Sequence, residues 1–490
     1  MRAPRKKSGR RAAATLSARL LSHVTLHAQA GGDIVAQFDD VSLGLGKFSA
    51  EAAERAKELY VGLPLSSFAS GNRENDKEIH VLVRRLAGRG LIEYHLGRSR
   101  SKDMVVVEPQ LPDYWPRISE LDSADTLVLS RFAYMRRRAN EMVLESPRAG
   151  ALFKICDPKI AAALVALSTP QQVKQLRRQK GFVGHELLGL LVDCQILFKI
   201  AAGDGLRPAE GDDNLVLWDF HDLLFHARST EGRHANPLGG AYPYADAIAP
   251  LPAVRPSWPG KKIDLHEVSP TSAEAPSPAA KALRERHSTR DFDNQRPITL
   301  AELARFLDST ARVQSELKTP LDHDGGGGDG GPELTYTVRP YPSGGASYEL
   351  ELYLAVDTCD GLSRGFYHYD AGAHALVPIE TRGNQLDAVL KSAEFAMGVS
   401  APPQIVIAIV ARFGRVSWKY SSIAYALILK DVGALMQTLY VMAADMGLGG
   451  CAIGTTNIDL FAKMTGLDFH VEGPVGQFAL GRGAKPEALR

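Results

Sequence analysis

Five consecutive positions, Arg286-His287-Ser288-Thr289-Arg290, carry two guanidiniums, an imidazole and two hydroxyls. Guanidinium forks and hydroxyl donors suit a phosphate dianion, although an ordinary charged helix end reads the same way. Further on, Pro342-Ser343-Gly344-Gly345-Ala346-Ser347 leads into the alternating run Tyr348–Val356. Paired glycines let a backbone approach a flat ligand closely, or simply turn into a strand. Lys419-Tyr420 offers an amine beside a phenol, which can accept and relay a proton or merely line a surface. Gly447-Leu448-Gly449-Gly450-Cys451-Ala452-Ile453-Gly454 is rich in glycine but follows a helical pattern, not a strand. A dinucleotide-binding Rossmann turn is therefore disfavoured.

These residues need elements to hold them. Gln404–Phe413 is a continuous β-branched run and reads as a buried strand. From Ser421-Ser422 to about Met446 runs a long helix, apolar nearly all round, which must be buried in the core or against a second subunit. Lys419 would sit at its N-terminus, where the positive helix end disfavours an ammonium and favours the free amine. Ala279–Arg286 reads as a helix feeding the arginine cluster, and Thr299 with Glu302 forms a capping box.

The front half carries no such set. Val24–Ala28, Asp33–Phe38 and Val41–Phe48 read as strands, Ala50–Tyr60 and Lys77–Arg89 as helices, and Leu91–Leu96 as a closing strand. The order recurs about a hundred residues on, ending in helices Ile160–Leu167 and Glu186–Val192 and a strand Gln195–Ile200. Two winged-helix-like units are expected, serving peptide or protein docking. Arg84, Arg85 and Arg89 form the dense basic patch on a candidate recognition helix, which leaves DNA as the lesser alternative. The expected divisions are a basic disordered tail over 1–20, units over 21–105 and 106–234, a proline-rich extended linker over 235–280, and the chemistry-bearing part over 281–490. Gly325–Gly331 lacks the Lys-Ser/Thr of a phosphate loop and reads as a surface loop.

With 490 residues, the chain exceeds one ordinary domain. A net charge of +1 supplies no global field toward nucleic acid or an anionic membrane. Cys156, Cys194, Cys359 and Cys451 lie far apart, with no His at metal spacing, so no metal site is expected and a reducing, cytoplasmic setting fits. No run of 18 apolar residues is uninterrupted, so no membrane span is expected.

Taken in order, the motifs over Lys281–Arg490 resemble the flavin-dependent nitroreductase superfamily: RHSTRDFD, PSGGASYELELYL, the Lys-Tyr pair, the helix into GLGGCAIG, and the final FALGR. The subtype resembles the SagB-type azoline dehydrogenases, which include the cyanobactin oxidases. Support comes from Trp218-Asp219-Phe220-His221-Asp222-Leu223-Leu224-Phe225-His226, from Ser229 and Gly232, from the long front half, and from Lys419-Tyr420. Gly433-Ala434 and Gly454-Thr455 depart from the Gly-His and Gly-Gly of many members, which bears on the substrate pocket. The resemblance implies an α+β chain whose C-terminal FMN-dependent nitroreductase-like fold follows the two winged-helix-like units. It implies FMN contacts at Arg286, His287, Ser288 and Arg290. Pro342, Ser343 and Gly344 would wrap the flavin from a second subunit of a homodimer. Gly454 and Thr455 would face flavin N5, and Arg482 and Lys485 would reach the phosphate.

The implied reaction is oxidation of thiazoline or oxazoline rings, built by a cyclodehydratase in a ribosomally synthesised precursor peptide, to the aromatic azoles. Lys419 would take the proton, Tyr420 would orient or relay it, the flavin would accept the hydride, and oxygen would reoxidise it. Two alternatives stay open: an NAD(P)H-dependent nitroreductase or quinone reductase, and a non-catalytic peptide- or DNA-binding protein with a relic flavin fold.

Overall fold

The computed structural model describes residues 14–38, 41–68, 73–99, 102–179, 182–200, 212–230, 242, 245–257, 259–265, 276–320 and 333–484. The expected loop Gly325–Gly331, Gly232 and most of the basic tail lie outside the described residues. The chain divides into two compact units, Met1–Ala235 and Asn236–Arg490.

In the first unit, Ser49 caps a helix Ala50–Ala56 that tightens into a 3-10 turn over Lys57–Tyr60. A second helix spans Glu74–Ala87 and buries Ile79, Leu82, Val83 and Leu86. A hairpin of Ile92–Ser99 and Lys102–Pro109 follows. Thr15–Leu20, placed by the sequence in the tail, is instead a strand paired with Ile92–Ser99. Its alternation puts Leu16, Ala18 and Leu20 in the core, a signal hidden behind the preceding basic run. The seven-stranded antiparallel sheet runs in the order Leu63–Pro64, Thr15–Leu20, Ile92–Ser99, Lys102–Pro109, Ala151–Ile155, Glu141–Glu145, Tyr134–Arg138. Lys102–Pro109 thus bridges the two expected front units, and a division between 105 and 106 cuts through a strand.

Helices Pro158–Val165 and His185–Asp193, with strand Leu197–Ile200 on Thr126–Leu129, repeat the helix–helix–strand order. The segment beginning at Trp218 is a helix, Phe220–Arg228, capped by Asp219. It is tied down by charge-assisted bonds. Arg131 donates to the carbonyls of Leu215, Val216 and Trp218, and Arg228 reaches the buried Glu145 at 2.7 Å.

The second unit is built on a six-stranded antiparallel sheet ordered Ala375–Ile379, Gly365–Asp370, Leu350–Val356, Ile405–Arg412, Glu472–Gly481, Gly449–Ile453. Ile405–Arg412 is central and buried along seven of its eight residues because helices cover both faces. On one face Leu386, Leu390, Ala393 and Met397 of helix Gly383–Met397 pack with Phe461 and Met464 of helix Ile458–Thr465. On the other lies helix Ala424–Asp445, seated where Gly476 leaves room for Val432 and Met436. That helix is long and apolar enough to cross a bilayer by length and composition, yet it buries a stripe through Ile428, Val432, Leu435 and Leu439. The expected capping box at Thr299 and Glu302 is formed.

Candidate active site

Ser277 caps helix Pro278–Glu285, and the chain leaves it in extended backbone at Arg286. Thr289 N–H donates to Gly450 O at 2.8 Å, docking the arginine segment on strand Gly449–Ile453. Only glycine fits at 449, since a Cβ there would lie 2.8 Å from Thr289 Cβ. Tyr440 of the long helix joins the parts. Its hydroxyl lies 2.8 Å from Ser288 Oγ and accepts the N–H of Ala452 at 2.8 Å, and its ring lies 5.0 Å from the Arg286 guanidinium. His287 Nδ1 lies 3.0 Å from Glu285 O, so this nitrogen carries the proton that is donated to the carbonyl. Neither Arg286 nor Arg290 pairs with a carboxylate among the described residues. An unneutralised Arg286 guanidinium over Tyr440, with the Ser288 hydroxyl held by the same ring's phenol and Arg290 exposed two residues on, fits the phosphate end of FMN.

The second group forms around the Pro342–Tyr348 turn. Gly345, at φ +61°, brings the turn against Lys419 and Tyr420. Lys419 Nζ donates to Gly345 O at 3.1 Å and lies over the rings of Tyr336 (5.4 Å) and Tyr420 (5.3 Å). A side chain at Gly345 would stand 2.9 Å from Lys419 Nζ and would also collide with the Tyr420 hydroxyl. Ser343 and Gly344 are bonded to Asp431 of the long helix. Lys419 is not at that helix's N-terminus. It lies in the turn after the short helix Gly414–Ser417, and the long helix starts at Ala424 with Ile423 as its N-cap. Exposed Ser421 and Ser422, the latter at φ +63°, break the backbone between them. The carbonyl and the two rings, not the helix end, are what the amine meets.

Gly454 and Thr455 lie in the loop between strand Gly449–Ile453 and helix Ile458–Thr465, with open space at Gly454. Arg482 is committed elsewhere: its Nη2 donates to both Glu302 oxygens at 2.8 and 2.7 Å, and its Nε to Arg296 O at 3.0 Å. These bonds engage Nε and Nη2. Glu302 is held below the usual carboxylate range, against the opposing effect of burial, by its bonds to Arg482 and Thr299. Lys485 lies outside the described residues. The structure therefore gathers Arg286–Arg290 with the glycine strand, and separately Pro342–Gly345 with Lys419 and Tyr420. Asp431 and Tyr440, which anchor the two groups, are nine residues apart on one helix, about 13 Å of rise.

Sequence reasoning passed over Tyr440, Asp431 and Glu349. An acid midway along a largely apolar helix is the sequence signal for Asp431, which the structure shows buried.

The nitroreductase family model matches residues 283–482, and the cyanobactin oxidase (ThcOx) model matches residues 127–235. The chain is 30% identical over 175 residues to MJ1384 of Methanocaldococcus jannaschii, a protein named for the nitroreductases, covering 35% of this chain and 76% of that one. The chain belongs to the nitroreductase family. It is an oxidoreductase of that superfamily, and the two models in one chain support a SagB-type azoline dehydrogenase. Among solved structures it is similar to the E. coli microcin synthetase McbBCD complex with truncated pro-MccB17 bound. That match has 18% identity and a TM-score of 0.39, and covers 58% of this chain and 98% of that one. It is also similar to a Desulfovibrio desulfuricans protein described as a nitroreductase in complex with FMN. That match has 14% identity and a TM-score of 0.28, and covers 44% of this chain and 93% of that one.

Proposed function

We propose that this chain oxidises thiazoline or oxazoline rings of a ribosomally synthesised peptide to thiazole or oxazole, in the cytoplasm and after a cyclodehydratase has built the rings. The observation that carries the reading is the Lys419 amine held on Gly345 O beside Tyr420 in the nitroreductase-family part, in a chain whose residues 127–235 match the cyanobactin oxidase model. FMN, when bound, supplies the hydride acceptor, and oxygen takes the electrons on.

The chain's own residues supply the rest. Arg286 and Arg290, with Ser288 held by Tyr440, grip the phosphate end. Lys419 takes the proton from the ring carbon. The Gly345 carbonyl and the faces of Tyr336 and Tyr420 fix where the Lys419 nitrogen stands. Tyr420 orients or relays. Because the two groups sit at separated points on one helix, a homodimer in which each chain lends its Pro342–Gly345 turn to the other's arginine segment completes the site. The front half docks the peptide or its cyclodehydratase.

The test is mass spectrometry of an azoline peptide incubated under air with the flavin-loaded protein. Loss of 2 Da per ring is expected, from the two hydrogens removed. No mass change, with rapid flavin bleaching by NADPH instead, would replace this reading with the reductase one. Sedimentation is expected to give a dimer, and a flavin-holding monomer would end the shared-site arrangement.

A further inference from the structure

Two carboxyls lie buried behind the Pro342–Tyr348 turn. Glu349 is fully buried and Asp431 is 6% exposed. Both meet one hydroxyl: Ser343 Oγ is 2.9 Å from Asp431 Oδ2 and 3.3 Å from Glu349 Oε2, while it accepts the N–H of Tyr348 at 2.9 Å. A hydroxyl has one hydrogen to give. Ser343 gives it to Asp431, the shorter contact, so the contact with Glu349 requires a proton on Glu349.

The surroundings agree. The charged and titratable groups that interact with Glu349 are Asp431 on the helix, Tyr341 ahead of the turn and Arg415 on the short helix; Arg339, Glu351 and Arg412 act in turn on Tyr341 or Arg415. Arg415 is spent on the carbonyls of Ser347 and Thr335, and Arg339 donates to Leu350 O. No cation bonds Glu349 among the described residues, and two buried carboxyls without one do not both ionise. Burial, and then the Asp431 charge, push the Glu349 carboxyl up to about 7.

The turn they hold is strained. Gly345, Ala346 and Tyr348 have φ of +61°, +54° and +43°. Non-glycine residues persist there only where their surroundings fix them, and such strain gathers at ligand clamps. Here the fixing bonds are those of Ser343 and of Gly344 N–H, which donates to both oxygens of Asp431 at 3.0 and 2.9 Å.

We propose that Glu349 and Asp431 are positioning residues that share one proton across Ser343, locking the strained turn so that its Gly345 carbonyl meets the Lys419 amine. The inference rests on the proton-accepting role given to Lys419 above. Loss of the shared proton sets two carboxylates against each other, removes the Glu349 bond to Ser343 and lets the turn relax. Turnover therefore declines on the alkaline side through a group other than Lys419.

Flavin-loaded wild type and Glu349→Gln, a permanently neutral donor of the same shape, are compared on an azoline peptide across pH. Wild-type turnover is expected to fall roughly tenfold as pH rises beyond about 7, as misplacement of a catalytic group does. Glu349→Gln keeps its rate there, and the bound-flavin spectrum is the same in both. An identical falling limb in the two proteins overturns the proposal.

Thermal melting gives a reading that needs no azoline. A carboxyl raised in the folded state contributes stability that is full at low pH and is lost as pH rises from the ordinary carboxyl range through about 7. The wild-type melting temperature is expected to drop more steeply over that window than that of Glu349→Gln, and equal slopes overturn the proposal. Differing slopes with no azoline turnover leave the proton pair standing and remove the azoline reading. Should Glu349→Gln fail to fold, Asp431→Asn serves: losing the neighbouring charge moves the falling limb to lower pH, and an unmoved limb overturns the pair.

Discussion

The Tyr440 hydroxyl bridges two segments that are far apart in the chain, lying 2.8 Å from Ser288 Oγ while it accepts the Ala452 N–H. The bridge fixes the arginine segment against the glycine strand before any ligand arrives. Arg286→Ala with Arg290→Ala is expected to release FMN, read from the flavin absorbance of the purified protein. Tyr440→Phe removes one bridging hydroxyl worth about 1 kcal/mol, so FMN should bind roughly fivefold more weakly. Undiminished flavin in the double variant would remove the arginine segment from the cofactor site.

Gly345 is the position where backbone and chemistry meet most tightly. Its φ of +61° costs an alanine roughly 1–2 kcal/mol. The added Cβ also enters the space of Lys419 Nζ and the Tyr420 hydroxyl. Gly345→Ala is expected to lower stability by about that amount in a melting experiment and to lower turnover by far more than the unfolded fraction explains. Turnover that merely follows stability would detach the turn from the Lys-Tyr pair.

What the sequence displayed depended on the range of the interaction. Gln404–Phe413 was legible because both its faces are covered, and Thr299–Glu302 because a capping box is local. Helix Gly383–Met397 was not read: it opens on glycine, and Arg382 is not among the usual N-cap residues. Ile458–Thr465 carried readable signals in Asn457 and the left-handed Gly466, but it is only two turns long. The Ser343–Asp431 bond joins positions 88 residues apart, and no local pattern announces it. Thr15–Leu20 does alternate, but the basic run before it masks the pattern, and its partner strand lies beyond both front helices. Lys419 is legible by type, but the short helix Gly414–Ser417, which holds it in a separate turn ahead of Ala424, is only four residues long and shows no periodicity.

Glu145 tests the front unit. Its carboxylate is almost fully buried between Arg228 at 2.7 Å and Arg136, whose Nη2 stands 2.7 Å from Oε1 but off the hydrogen-bond line. Glu145→Ala leaves the half-buried Arg228 without this acceptor and loosens helix Phe220–Arg228. A loss of about 2 kcal/mol is expected in denaturant unfolding, less than for a fully buried pair because Arg136 is largely in solvent. A change within a few tenths of a kcal/mol would show that the helix is held by its apolar contacts alone.

Lys419 and Tyr420 carry the last prediction. Neither is needed to hold the phosphate, so Lys419→Ala should keep its fold and its flavin. If the amine accepts the ring proton, its removal costs roughly 10²–10⁴ in rate. Tyr420→Phe separates two roles: a smaller loss means that the phenol only orients the amine, and a comparable loss means that it relays the proton. Lys419→Arg sharpens the point, because a guanidinium can still donate to the Gly345 carbonyl yet cannot take up a proton. Turnover is measured as 2 Da lost per ring under air, beside the flavin spectrum. Lys419→Arg should therefore be as slow as Lys419→Ala. Wild-type-like rates in both variants would remove Lys419 from the chemistry, and the carbonyl contact at 3.1 Å would then be no more than packing for the turn.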